Sequence, residues 1–188
     1  MKTLPLFLAG LLSAGFASAQ TWALDKAHSN LGFTVTHLAV QDADDAFKDF
    51  SLTLNAAKDV SDAQITLTAN IAGIDTQNEK RDNDLKNHGF FDADKFPTLS
   101  FKGASFKKAS GNSYELKGAL TLHRGAKPPA LKVDLKGKGE DLFAKKAMVG
   151  FKAYGKAKRT DFNIGNSTPA AIAGDEAKIK ANIAVIKS

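Results

Sequence analysis

Residues 75–97 read Asp75-Thr-Gln-Asn-Glu-Lys-Arg-Asp-Asn-Asp-Leu-Lys-Asn-His-Gly-Phe-Phe-Asp-Ala-Asp-Lys-Phe-Pro97, the one stretch patterned as a helix in a chain that otherwise alternates. Thr76 and Glu79 have the spacing of a capping box, and Gly89 follows His88 where a left-handed cap is easiest, which predicts a helix over about 76–88. Lys80–Asp84 and Asp82–Lys86 are opposite charges four residues apart. Between Gln77 and His88 only Leu85 is apolar, so this helix has no stripe to bury and must lie across another element. Phe90, Phe91 and Phe96 then bring three aromatics within seven residues, and Pro97 holds Phe96 extended. A polar helix tied down by aromatics reads as a flap over the end of a sheet or barrel.

Outward from the flap, the chain alternates with period two. Ala63, Ile65, Leu67, Ala69 and Ile71 form the clearest half-buried strand. Similar patterns run through Leu31–His37, Phe47–Leu54, Leu99–Phe106, Tyr114–Leu122, Leu131–Leu135, Ala147–Ala157 and Ile179–Val185, with Trp22 starting a first strand. Parity changes near Asp49 and before Phe106 predict bulges. Gly111-Asn112 reads as a hairpin turn, Gln41–Asp45 as an acidic turn, and Arg124–Pro129 and Thr160–Gly174 as loops. The fold class is therefore all-β, with an eight-stranded antiparallel barrel favoured because closure removes edge strands, and a two-sheet sandwich as the alternative.

Lys2, the apolar run Leu4–Leu12 and the Ala17-Ser18-Ala19 site read as a cleavable signal peptide over residues 1–19, leaving 20–188 as one exported, periplasmic domain. There is no cysteine, so neither disulfides nor thiol chemistry enter, and nothing follows the apolar run to carry a lipoprotein anchor. A net charge of +6, interspersed along the chain, is a solubility level and weak support for a nucleic-acid partner.

On the inward parity, large residues are mixed with Gly118, Ala147, Ala153, Gly155, Ala157 and Ala181. Such a face either leaves a tube or matches larger neighbours across a filled core, and pattern alone leaves both open. Strands of ~11 residues, tilted by ~40°, give a wall roughly 28 Å tall.

Several stretches together resemble the YceI-like family of exported polyisoprenoid-binding proteins. They are Trp22-x-x-Asp25-x-x-His28-Ser29 with Phe33 and His37; Phe47-Lys48-Asp49-Phe50; Asp75-Thr76 through Arg81-Asp82-x-x-Leu85 and Phe90-Phe91; Phe96-Pro97-x-x-x-Phe101; Gly118-x-Leu120-Thr121-Leu122 with Lys127-Pro128; and Asp161-Phe162-Asn163-Ile164. The resemblance implies a lipocalin-like barrel holding a long isoprenoid-type lipid as its ligand, with no cofactor and no catalytic residues. On that footing Phe33, Val35, His37, Leu67, Ile71, Phe101, Leu120, Leu122, Val133, Phe151 and Ile183 are the expected lining. His28, Arg81, Asp84, Leu85, Phe90 and Phe91 are expected at the mouth and flap. The chain departs from the family pattern at Asp84, where a histidine is usual; at Asp45, commonly glycine; and at Arg124 and Ala126, for Gly and Thr. An acid at position 84 beside the mouth is expected to disfavour an anionic headgroup and favour a neutral lipid such as a quinone or amide.

Other chemistries have weaker support. His28, His37, His88 and His123 share no metal-ligand spacing. Asp25, Asp49, Asp82, Asp84 and Asp161 come without a nucleophile motif, so no enzyme is expected. The lysines of the last strands lie on the outward parity with only Tyr154 among them, which reads as a solvated face rather than a nucleic-acid surface. Expected partners are an apolar lipid and, transiently, a membrane surface; a homodimer is left open. The alternatives are a ligand-free structural or stress-related barrel and an anion- or nucleic-acid-binding protein.

Overall fold

The computed structural model describes residues 20–56 and 63–188; the signal-peptide reading of 1–19 lies outside the described residues. The strands are β1 (Gln20–Leu24), β2 (Asn30–His37), β3 (Gln41–Phe47), β4 (Phe50–Ala56), β5 (Gln64–Asn70), β6 (Ile74–Asp75), β7 (Thr98–Ser110), β8 (Ser113–Leu122), β9 (Gly125–Lys127), β10 (Ala130–Asp141), β11 (Lys146–Lys158) and β12 (Ala173–Lys187). The helix α1 spans Glu79–Lys86, between β6 and β7.

All the strand pairings are antiparallel, and they close on themselves. β1 and β2 are two parts of one bent strand, since both pair with β12, through Trp22–Lys187 and Leu31–Ala181. β3 and β4 are bent in the same way at Lys48-Asp49, β2 pairing with β3 and β1 with β4. Counted so, eight strands form a ring that runs on through β5, β7, β8, β10, β11 and β12 and back to β1. This is a lipocalin-like barrel, which leaves no open edge around the ring.

Of the two expected bulges, the one before Phe106 is present and the one near Asp49 is a break between strands. Near Asp49 the strand breaks; Lys48 donates its N–H to Gly73 O at 2.8 Å, and Asp49 O accepts from Asn70 N–H at 2.9 Å. The β7–β8 register shifts between Gly103 and Ser105, next to Phe106.

Three local readings need correction. Gln41–Asp45 is not a turn but the first part of β3. Its acids survive in a strand because Lys178 and Lys180 of β12 reach across the small threonines of β2 to Asp42 and Asp44, at 2.9 and 3.0 Å. The helix covers 79–86 rather than 76–88, because Asn78 is its cap, accepting from Arg81 N–H at 3.0 Å. Thr76 is instead buried, and Gly89 provides no left-handed cap; the helix ends at Asn87, whose N–H meets Asp84 O. Arg124–Pro129 contains the short strand β9, folded back on the end of β8.

The barrel's two ends differ. The Leu38–Val40 turn, the flap segment 71–97, and the 123–129 and 159–172 connections all lie at one end. At the other end Trp22, Tyr114, Val149 and Val185 are buried and fill the interior, and the Phe106 and Tyr114 rings stack at 4.6 Å. Gly118, midway along β8, leaves no open space either, because a Cβ there would collide with the Phe101 ring and Lys102 O.

Candidate functional site

Above that filled end the inward face does not meet itself. A cavity of about 320 Å³ runs up the barrel, at the lower end of the range for small-ligand sites. Its floor is Leu54, Phe106, Leu116, Phe151 and Ile183, and its walls are almost wholly apolar. The interior is thus divided, packed below and open above. Exposure rises toward one end along each of three strands: from Leu31 to His37 on β2, from Phe151 to Ala157 on β11, and from Ala181 to Ala173 on β12. The cavity opens at that end, beside the flap.

Of the expected lining, Phe33, Val35 and His37 (β2), Leu67 (β5), Phe101 (β7), Leu120 and Leu122 (β8), Val133 (β10), Phe151 (β11) and Ile183 (β12) all border the cavity. Ile71 does not: it is buried in the turn after β5, where its N–H donates to Pro97 O at 2.8 Å. Of the small residues, Ala153, Ala157 and Ala181 line the cavity.

At the mouth Arg81, Leu85, Phe90 and Phe91 face the cavity, while Asp84 and His28 do not. Arg81 and Leu85 are one turn apart and share a helix face; Asp84 is rotated about 100° from Leu85 and lies exposed in solvent. Asp84 therefore does not face the space in which a headgroup would sit. His28 sits at the β1–β2 bend, bonded through Nδ1 to Asp25 Oδ2 at 2.7 Å.

The flap is held by specific contacts. Thr76 donates its N–H and Oγ1–H to Asp82 Oδ1 at 2.8 and 2.6 Å, and its carbonyl accepts from Arg81 Nη2 at 2.5 Å. Phe91 sits edge-on to Phe33 and Phe47, at 6.4 and 6.2 Å between ring centroids. His88 Nδ1 lies 3.0 Å from Asp92 Oδ2, and that bond, with Lys95 nearby, holds the Asp92 carboxyl below the usual range. Each histidine has its own setting, and no cluster of metal-ligating side chains occurs among the described residues.

A family model for the YceI-like domain matches residues 22–185. The chain belongs to the YceI-like family. It is 34% identical over 161 residues to Protein YceI of Shigella flexneri, covering 84% of this chain and 83% of that protein. To Protein YceI of Salmonella newport it is 36% identical over 157 residues, covering 82% and 81%. In structure it resembles the Campylobacter jejuni YceI protein, with a TM-score of 0.72 at 27% identity, covering 87% of this chain and 96% of that one. Two more distant likenesses speak for the fold alone. Burkholderia cenocepacia BcnA gives a TM-score of 0.75 at 24% identity over 86% of this chain and 98% of that one. A polyisoprenoid-binding domain from Saccharophagus degradans gives 0.66 at 13% identity over 89% and 98%.

In this YceI-like barrel Arg159 and Asp45 are charged cavity-lining side chains that fall outside the expected lining and mouth sets. Arg159 lines the mouth and binds five backbone carbonyls: Ile164 (3.0 Å), Gly165 (2.5 Å), Thr168 (2.7 Å), Ala173 (3.0 Å) and Gly174 (3.3 Å). It ties the 159–174 segment over the barrel, with Phe162 and Ile164 pressed inward. The readable signal was composition, since a lysine-rich chain has only Arg81, Arg124 and Arg159 as arginines. Arg124 also lies at this end, 5.9 Å from the Phe96 ring. A guanidinium offers several donors in a fixed fork, which an ammonium cannot.

Asp45 is the second. Its inward partners on β3 are Ala43 and Phe47, and it sits opposite Phe33. Gly32 makes this close approach possible, since a Cβ there would lie 2.5 Å from Asp45 O. The carboxyl is 6% exposed, and burial pushes its pKa up while Arg81 pulls it down.

Proposed function

We propose that this protein binds a long-chain apolar lipid, of polyisoprenoid, isoprenoid-quinone or similar kind, inside the barrel, and that it does so in the periplasm. The observation that carries this reading is the apolar cavity, closed below by packed aromatics and open beside the flap. Burying a chain there is favourable by about 25 cal/mol per Å² of apolar surface removed from water, and no charged group is needed to hold it. The Saccharophagus domain described as polyisoprenoid-binding shares the fold, which is compatible with the same use of the interior. The signal-peptide pattern of residues 1–19 supports export.

Exchange with a membrane follows from the same end. Leu38 and Val40 in the β2–β3 turn and Ile172 beside them are exposed, and Leu38 N–H donates to Ile172 O at 3.0 Å. Exposed apolar side chains rimming a lipid cavity suit brief contact with a bilayer. The protein acts in this reading as a carrier or store rather than as an enzyme. Native mass spectrometry of protein purified from the periplasm tests it: a long-chain lipid released on activation is expected, and apo protein with no lipid uptake from vesicles overturns it.

A further inference from the structure

Among the described residues Asp45 is the one carboxylate that lines the cavity. Its Oδ1 is fully buried and meets no hydrogen-bond donor among the described residues. Its cationic neighbour, Arg81 Nη2, is 3.7 Å away, too long for a hydrogen bond, and one of that nitrogen's two N–H groups goes to Thr76 O. A buried acid without a donor is costly, and native proteins rarely leave one so unless something else completes it. The surroundings offer no completion, because Phe33, Phe47 and Phe91 are packed around this level of the cavity.

We propose, resting on the lipid-binding reading above, that Asp45 and Arg81 form the headgroup subsite, and that the headgroup is neutral, donating one hydrogen bond and accepting another. A hydroxyl or a primary amide has this chemistry: its O–H or N–H is directed to Asp45, and its oxygen accepts from Arg81. The pair is jointly close to neutral. A phosphate gains from Arg81 but meets the Asp45 charge, whose carboxyl is only 6% exposed and so weakly screened, and a simple ester gives Asp45 nothing. The departure from the family pattern that selects the ligand is thus Asp45 rather than Asp84.

The test uses four chain-matched C18 probes, oleyl alcohol, oleamide, methyl oleate and oleyl phosphate, competing with a fluorescent fatty probe on the delipidated full-length mature protein. Wild type is expected to bind the alcohol and the amide roughly tenfold or more tighter than the ester, the scale of one hydrogen bond to a charged group. Asp45→Ala is expected to bring the alcohol, amide and ester within about threefold of one another by weakening the first two. Asp45→Asn, which preserves shape, covers the case in which the alanine variant misfolds and is expected to keep only part of the preference. Equal affinities for alcohol, amide and ester in wild type, or a preference for the phosphate, overturn the subsite while leaving the cavity reading intact. Failure of all four probes to displace the fluorophore overturns the cavity reading itself.

Discussion

Gly165 donates its N–H to Gly89 O at 3.0 Å, and the Phe90 ring lies against its Cα, so that a Cβ there would come 2.9 Å from Phe90 Cε1. This contact joins the flap to the β11–β12 connection across the mouth. Gly165 has φ +59°, a conformation in which a side chain is strained as well as crowded. Gly165→Ala is therefore expected to destabilise the protein by about 1–2 kcal/mol. It is also expected to speed lipid exchange, because the flap loses its latch. Denaturant unfolding and transfer of a fluorescent lipid to vesicles measure the two effects.

Arg159 satisfies five carbonyls, three in the 159–172 connection and two at the start of β12. Arg159→Lys keeps the charge but cannot reproduce the fork. A loss of roughly 1–3 kcal/mol is expected, the cost of carbonyls left without donors. Thermal unfolding of the two proteins compares them, and hydrogen exchange is expected to accelerate over residues 160–174 before the barrel strands.

The Asp45 carboxyl is held above its usual pKa by burial, against the pull of Arg81 and with further upward push from Asp82, Asp44 and Asp75. In the folded protein it keeps its proton to higher pH than in the unfolded chain. Its contribution is therefore neutral below the unfolded pKa, and stability falls as pH rises from there through the folded pKa. Asp92, Asp42 and Asp44 are shifted downward and act oppositely, losing stability as pH falls. The Asp45 component is expected in the difference between wild type and Asp45→Asn: the variant gains relative stability as pH rises above about 4. A difference that stays flat with pH contradicts the shift.

Val40 is among the most exposed large apolar side chains, at 87%, and lies beside the mouth. Val40→Asp is expected to leave lipid capacity unchanged and to slow transfer to and from vesicles several-fold. Stopped-flow transfer with the lipid preloaded separates the rate from the capacity.

The frame of the barrel was legible because period-two alternation survives wherever one face is wet and the other apolar, as in Ala63–Ile71 or Ile179–Val185. The flap was legible for the opposite reason, as a polar helical pattern that alternation cannot produce. What escaped notice depended on partners distant in sequence. β3 read as a turn because its acids are balanced by Lys178 and Lys180, 136 residues away. Once it is treated as a turn, the alternation of Asp42 and Asp44 outward against Ala43, Asp45 and Phe47 inward is lost, and Asp45 with it. Asp84 was misplaced because one residue of helix phase, about 100°, separates the wet face from the cavity face. In the sequence Gly118 stays open between room and a match for a larger neighbour, a choice that rests on the Phe101 ring of the neighbouring strand, which occupies that space.

In the proposed reading the lipid lies inside the barrel, and Leu120 and Lys132 separate inside from outside. Leu120 is buried on the cavity wall, whereas Lys132 is exposed on the outer face of β10. Native mass spectrometry of wild type, Leu120→Arg and Lys132→Glu, each purified from the periplasm and checked for fold by circular dichroism, is the direct measurement. Bound long-chain lipid is expected in wild type and Lys132→Glu and absent from folded Leu120→Arg. Equal lipid occupancy in all three, with the fold preserved, would contradict an interior site.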